Sequence, residues 1–489
     1  MPRSFRVLAV LCLAGITPAL PAAAQRVITF DEAIRLGLDQ SPDLRDARLG
    51  DEAASLNVAS ARADVLPLPF VSASVTPSQR YGLAFDQTTG QLTSQTSESV
   101  NLGLNATVDL FDGFRDRRLL DQARLQRQAA TFSLERTRQQ VVFDVASRFL
   151  QVLLDGEIVR IREENLEAQR QLLDQIDALV EEGVRARADL FSQQAAVAQA
   201  ELALLQAQQA VDLATTQLVE VLQLDPFGDY VFAAPPVDPA RLEEEPVSLD
   251  ALLRAAYDRR PDLRAQEQQI EAARAGVGVA RSGRLPTVSL SGGIGTGYSS
   301  LQQQLVSGGE TIFLPVTTAS GEPILVDGQP FSFPSQTDPV LETTPIFNQF
   351  ADNRGGSIGL SISIPIFDRF QTRRQVQQAE IEVRRAEIQE DRLRQRIATE
   401  VRQAVIDYRN AAKQLDVTEA QVAAAEAAVQ AEQDRFELGA GTLVALEQAR
   451  ARLVEAEAAR AQATYELLFR RALIDLAQGT LDPAFDLFE

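Results

Sequence analysis

Residues 101–113 read Asn-Leu-Gly-Leu-Asn-Ala-Thr-Val-Asp-Leu-Phe-Asp-Gly. Leu102, Leu104, Ala106, Val108 and Leu110 alternate without a break with Asn101, Gly103, Asn105, Thr107 and Asp109. That two-residue period makes a strand with one oily and one polar face. Beyond it the pattern changes: from roughly residue 113 to 181 there is scarcely a glycine or proline. A helix of that length reaches about 100 Å at 1.5 Å per residue.

The passage occurs twice. Ile358, Leu360, Ile362, Ile364 and Ile366 alternate in the same way, and Phe367-Asp368, Arg373-Arg374 and Ala379 repeat Phe111-Asp112, Arg117-Arg118 and Ala123 at an offset of 256. Gly183 with Leu190 returns at that offset as Gly439 with Leu446. Upstream, Pro42-Asp43-Leu44-Arg45, Ala61-Arg62 and Leu66-Pro67 return as Pro261-Asp262-Leu263-Arg264, Ala280-Arg281 and Leu285-Pro286 at an offset of 219. The two offsets differ by 37 residues, which is one insertion lying between about 299 and 353. Each copy has short helices, a strand pair and two long helices, a unit too large for a solenoid repeat.

The expected boundaries follow. Residues 1–24 read as a secretory signal, with Arg3 and Arg6, an apolar stretch from Val7 to Ile16, and Ala22-Ala23-Ala24 before Gln25. The first repeat spans 25–224, with strands at about 67–78 and 100–111 and long helices at about 113–181 and 187–223. A proline-rich connection at 225–248 is expected to form an equatorial belt with the tail at 478–489. The second repeat spans 249–477, with strands at about 285–298 and 356–367 and helices at about 369–437 and 443–477. Short helices are expected at 31–63 and 249–281. Between the strands, Thr76 to Glu98 and about Ser299 to Asn353 read as exposed loops, the second long enough for a plug, lid or binding element.

Ile397, Val401, Val405, Tyr408, Ala412, Leu415, Val422, Ala425, Val429 and Phe436 fall at steps of three, four or seven, a coiled-coil seam. In the first copy Val141, Val145, Phe149 and Val152 begin the same seam before Gly156. Alanine at many contact positions of the returning helices lets backbones approach closely. Gly183 and Gly439 mark the hairpin turns.

Composition narrows the function. The chain has no histidine, and its one cysteine, Cys12, lies in the signal. The usual ligands for zinc, iron or copper and the commonest general base are therefore missing, so neither enzyme chemistry nor a cofactor is expected. Without Arg3 and Arg6 the formal charge goes from −21 to −23, which argues against nucleic acid as a partner. Past the signal no apolar run is long enough for a membrane-spanning helix, so any span is made of strands. Four strands cannot close a barrel, and an open edge in hydrocarbon leaves backbone groups unpaired, so spanning strands imply oligomerisation. A soluble sheet with one wet face on an antiparallel coiled-coil rod satisfies the same alternation. On that alternative the chain is a secreted or periplasmic coiled-coil structural or adhesion protein with a soluble β cap.

A strand pair, a hundred-ångström helix, a hairpin and a returning helix, all duplicated behind a signal, resemble the TolC-like outer-membrane efflux proteins. Pro42-Asp43-Leu44 and Pro261-Asp262-Leu263 opening a helix carry the resemblance, with Leu66-Pro67 and Leu285-Pro286 entering the first strand. Leu110-Phe111-Asp112-Gly113 and Pro365-Ile366-Phe367-Asp368 leave the second. The resemblance implies a mostly α protein with membrane β: a homotrimeric twelve-stranded β-barrel in the outer membrane, continuous with a twelve-helix α-barrel across the periplasm of a Gram-negative cell. It implies a passive exit duct for efflux or type I secretion, whose tips dock a periplasmic adaptor joined to an inner-membrane transporter. Gly183, Val184, Leu190, Leu438, Gly439, Thr442 and Leu446 are the expected docking residues. The family's tip pattern has an apolar residue before the glycine; Leu438 keeps it, whereas the first copy has Glu182. Positions matching the family's polar entrance latch read Phe436, Gly441, Ala445 and Gln448, which implies a different closure. Glu181, Glu182, Asp189, Phe436 and Gln448 are the candidate entrance-lining residues.

Overall fold

The computed structural model describes residues 26–85, 91–233, 248–306, 311–336 and 340–481. The expected signal, most of the proline-rich connection and most of the tail lie outside the described residues. In chain order the first repeat contains β1 (Arg26–Thr29), α1 (Phe30–Gln40), α2 (Pro42–Asp64), β2 (Phe70–Phe85), β3 (Leu92–Phe111), α3 (Arg115–Glu181) and α4 (Arg187–Val221). After β4 (Tyr230–Ala233) the second contains α5 (Leu249–Arg259), α6 (Pro261–Ser282) and β5 (Thr287–Ser299). Its insertion holds β6 (Gln303–Val306), β7 (Thr311–Pro315), β8 (Leu325–Val326), β9 (Gln329–Pro330), β10 (Ser332–Gln336), β11 (Val340–Thr343) and α7 (Ile346–Asp352). It closes with β12 (Gly355–Ser363), α8 (Gln371–Glu437) and α9 (Leu443–Gln478). α3 and α8 have 67 residues each. Among the described residues no helix is long and apolar enough to cross a membrane.

The chain divides into two compact units. The helical unit holds the described residues up to Leu56, Arg124–Glu271, and those from Arg384 on. Its helices lie side by side in the order α4, α3, α9, α8. Arg170 on α3 bonds Glu201 on α4 (2.8 Å), the Phe143 ring of α3 lies 5.4 Å from Phe469 of α9, and Arg470 of α9 meets Asp407 of α8 at 3.2 Å. Ala456, Ala463 and Ala472 of α9 are fully buried, so methyl groups set the helix spacing. α3 runs unbroken through Gly156, and its seam resumes with buried Ile161, Leu166, Leu172 and Ile176. The short helices break at Ser41 and Arg260, the residues before Pro42 and Pro261, where proline pushes the preceding backbone out of the α region. One pairing is invisible in the sequence: β1 and β4 run parallel, and Ile28 and Phe232 cover Phe149.

The second unit holds Asn57–Ala123 and Ala272–Val383. Its centre is a curled four-stranded sheet in the order β12-β5-β3-β2, antiparallel throughout. The register aligns Val71 with Ala106 and Gly292, Ala73 with Leu104 and Ile294, and Gly292 with Ile358. One face is therefore apolar across all four strands, and the other carries Ser, Gly, Asn and Thr. Val75, Ile294, Ile358, Leu360 and Ile362 each leave more than half their surface exposed, a contiguous oily patch that a water-facing sheet would not keep. Thr76 to Glu98, expected as a loop, instead prolongs the hairpin as a ladder from Thr76↔Asn101 to Phe85↔Leu92. Its many Ser, Thr and Gln residues mask the alternation, which returns only at Tyr81, Leu83 and Phe85, but the backbone bonds do not require it. The insertion is likewise built of short antiparallel pairs, β6 with β11, β7 with β10 and β8 with β9. Buried Gln349 of α7 clasps its base, accepting from the Ser299 N–H (2.8 Å) and donating to the Ser299 and Thr344 carbonyls.

Strand passes to helix through the same corner in both copies. Phe111 stacks edge-on with Phe114 at 5.1 Å and Phe367 with Phe370 at 5.7 Å, while Phe114 and Phe370 hold φ of 64° and 61°. Asp112 and Asp368 then cap α3 and α8 by accepting the N–H groups of Asp116 and Thr372. Gly113 has φ 73°, and a Cβ there would stand 2.8 Å from Leu285 Cβ and 2.9 Å from the Ser282 carbonyl. Gly183 has φ 77° with nothing within 4 Å. Gly113→Ala should therefore cost about 3 kcal/mol through strain plus overpacking, and Gly183→Ala about 1 kcal/mol through strain alone. Thermal unfolding followed by circular dichroism checks the order; equal losses would refute the contact at Leu285.

Candidate functional site at the helical hairpins

The turn from α3 to α4 and the turn from α8 to α9 are closed by the same bonds. Gly183 N–H donates to the Val180 carbonyl (3.0 Å) and Val184 N–H to Leu179 (2.8 Å); Gly439 N–H donates to Phe436 (3.1 Å) and Ala440 N–H to Arg435 (2.8 Å). Both glycines are left-handed, with φ of 77° and 72°, the conformation such a helix end requires. The restarts differ. Thr442 caps α9 by accepting the Ala445 N–H at 3.2 Å, whereas Ala186 gives α4 no side-chain cap.

Between the hairpins Leu172, Ile176, Phe436, Leu443 and Leu446 form a cluster, with Val180 and Leu190 packed against it. A groove of about 720 Å³ runs over it, lined by Val184, Arg185, Phe436, Gly439, Leu446 and Arg450 among others. The expected docking residues divide. Val184 and Leu438 are 65% and 83% exposed, beside exposed Gly183, Gly439 and Thr442, while Leu446 is buried and Leu190 half-buried. Among the candidate entrance residues Glu181, Glu182 and Gln448 are exposed, and Phe436 is 8% exposed and packs inside the cluster. Asp189 is half-buried, with Arg185 Nη1 3.9 Å away.

Arg185 was not expected from the sequence, yet it joins the parts. Its guanidinium lies 4.2 Å above the Phe436 ring, a cation–π contact, while facing Asp189. An arginine directly after Glu181-Glu182-Gly183-Val184 was its only signal. Phe191 and Val444 add apolar surface near the tips, each more than 60% exposed. Next to Leu446 in the chain, burial pushes the Glu447 carboxyl up, partly offset by Arg450 and Gln169. Arg450 donates to the Ala168 carbonyl at 3.3 Å, tying α9 to α3. Buried Gln193 donates to Gln169 within the first hairpin, where the second has Ala449 and Ala425. Among the described residues no three acidic, histidine or cysteine side chains gather as metal ligands.

Known proteins show the same architecture. The sequence model of the outer membrane efflux protein family matches residues 33–222 and 252–480. Protein CyaE of Bordetella pertussis is 27% identical over 394 residues, covering 80% of this chain and 72% of that protein. The pyoverdine export outer membrane protein OpmQ of Pseudomonas putida is 30% identical over 297 residues, covering 56% of this chain and 58% of that protein. The Campylobacter jejuni CmeC outer membrane channel superposes with a TM-score of 0.70 at 16% identity, over 94% of this chain and 87% of that one. These matches set aside the coiled-coil rod with a soluble cap. Two matched segments, one per repeat, lead to one conclusion: the chain belongs to the outer membrane efflux protein family and is a protein of the outer membrane.

Proposed function

We propose that this protein is the exit duct of a tripartite efflux or type I secretion system, assembled as a homotrimer and passive in transport. The observation that carries the reading is the sheet: one continuous oily face, and two free edges, β2 and β12, that run in opposite directions. Because the order is antiparallel throughout, β12 of one copy continues the alternation when it meets β2 of the next. Three copies of four strands would close a twelve-stranded barrel in outer-membrane lipid, and three sets of four long helices a twelve-helix barrel. No catalytic step falls to this chain.

Its partners are a periplasmic adaptor and an inner-membrane transporter. Exposed Leu438 and Val184 beside Gly439 and Gly183, with Thr442, give the adaptor an apolar anchor on a glycine turn, and Leu190 and Leu446 support it from beneath. Glu181, Glu182 and Gln448 line the entrance, with Asp189 held at its side by Arg185. Closure rests on the cluster around Phe436, and an adaptor that prefers the separated hairpins shifts the population toward the open duct.

Mass of the protein extracted in mild detergent, corrected for bound detergent, should correspond to three chains; a detergent-free monomer would sink the duct. Leu438→Asp should weaken adaptor binding by about tenfold or more, equivalent to about 1.4 kcal/mol, with the trimer intact. Unchanged binding of a purified adaptor would remove Leu438 from the docking surface. Arg185→Ala and Phe436→Ala should raise single-channel conductance in planar bilayers by loosening the tips. Glu447 adds a pH dependence with a definite sign. Its carboxyl is raised in the folded state, so hairpin packing is strongest in acid and weakens as pH climbs from the ordinary glutamate value through the raised one. Conductance should rise across that window in the parent protein and stay flat in Glu447→Gln.

A further inference from the structure

Arg136 reaches out of its own copy of the repeat. Its Nη1 donates to the Leu476 carbonyl at 2.9 Å and its Nε lies 3.9 Å from Asp262 Oδ2. One turn on, Gln139 Nε2 donates to the Gly479 carbonyl at 2.9 Å. The donors sit on α3 of the first copy; the acceptors are the N-terminus of α6 and the end of α9, both in the second. Together they close the joint between the copies inside one chain, and Gln139 is buried there.

Each group has a repeat counterpart. Shifted by 256, Arg136 and Gln139 become Arg392 and Gln395, and Leu476 and Gly479 fall on Glu220 and Gln223. Shifted by 219, Asp262 falls on Asp43. The guanidinium, amide and carboxylate are all kept, and the other two acceptors are backbone carbonyls, which every residue has. Local geometry is kept as well: Gln223 and Gly479 are both left-handed, at φ 54° and 76°. Yet α8 and α4 stand at opposite ends of the helix row, so within a chain these donors and acceptors are not paired. Arg392 and Gln395 are exposed, and among the described residues neither Arg392 nor Asp43 has a hydrogen-bond or ion-pair partner. A groove of about 710 Å³ lies open beside Asp43, Asp144, Glu220 and Gln223.

We infer that the surface formed by Asp43, Asp144 and the end of α4 receives Arg392 and Gln395 of a second copy of this chain, repeating between protomers the contact that Arg136 and Gln139 make within one. The inference rests on the trimer proposed above and names the residues that join it. At Asp43, charge favours the outer joint over the inner. At Asp262 the incoming Arg136 shares its carboxylate with Arg260, which already bonds Asp262 (2.6 Å) and Glu400 (2.7 Å). Ser41 occupies the position corresponding to Arg260, so no arginine bonds Asp43 there, while Arg148 in the same groove acts on Asp144. In the free chain the Gln223 amide covers the Glu220 carbonyl at 2.8 Å, and Arg392 replaces that bond.

The test uses the full chain in mild detergent. Arg392→Asp should lower the trimer fraction more than tenfold at fixed concentration, Arg392→Asp with Asp43→Arg should restore it, and Arg396→Asp, an exposed arginine one turn away, should leave it unchanged. In a Cys12→Ser background, Asp43→Cys with Arg392→Cys should give a covalent trimer with a short bismaleimide. A parent trimer that gives no cross-link and ignores Arg392→Asp would overturn this joint and leave the duct standing. A monomeric Arg392→Asp chain with normal helical content that the swap fails to rescue would also overturn it. A monomeric parent would overturn both.

Discussion

Everything in the β unit answers one constraint: inside hydrocarbon every backbone N–H and C=O must find a partner within the protein. Four strands with an oily outer face meet it everywhere except along β2 and β12, where a row of donors and acceptors faces outward. Each unpaired group in lipid costs several kcal/mol, so the edges are a stronger demand for partners than any side-chain contact. The sheet is not a cap that happens to be greasy. It has two unpaired edges of opposite direction, and on the proposed trimer its antiparallel order lets identical copies pair them.

The helical unit meets a gentler version of the same problem. A helix satisfies its own backbone, so what its row lacks at either end is side-chain burial and charge pairing rather than main-chain bonds. Buried alanines on α9 fix how closely the inner neighbours approach, and polar anchors such as Arg136 fix their register. A mostly small-residue interface would otherwise slide, because methyl groups give contact without direction. The guanidinium on the last carbonyls of α9 gives that direction, and it also favours the negative end of the helix dipole.

Much of this was legible in the sequence because two periods switch cleanly. Leu102 to Leu110 alternate by two, and Ile397 to Phe436 step by three, four or seven, so the long-helix ends fall within a few residues of expectation, whereas the facing ends of β2 and β3 run seven or eight residues further. What escaped has physical reasons. The upper ladder of β2 and β3 is polar over most of its length, with Tyr81, Leu83, Phe85 and Leu92 left to continue the apolar step. Phe436 and Leu446 look like tip residues by position, but a seam residue near a turn does not announce which neighbour will cover it. Arg185 and Arg450 act across hairpins more than 200 residues apart, and no local pattern encodes a partner at that separation.

Where the copies diverge, they do so at places that meet different neighbours. Both hairpins keep the glycine turn, because the backbone needs it, but only the second keeps an apolar residue before it and a threonine cap after it. The first hairpin replaces those with Glu182 and Ala186 and adds a buried Gln169–Gln193 pair where the second has alanines. A cap and an exposed leucine make a firm, oily end suited to a partner; an uncapped acidic end held by interior hydrogen bonds can shift as a unit. In the proposed trimer the two hairpins of a chain meet unlike neighbours, so nothing in that assembly requires them to be equal. On that proposal, the residues kept across the repeat mark what every joint requires, and those that differ mark what each end meets.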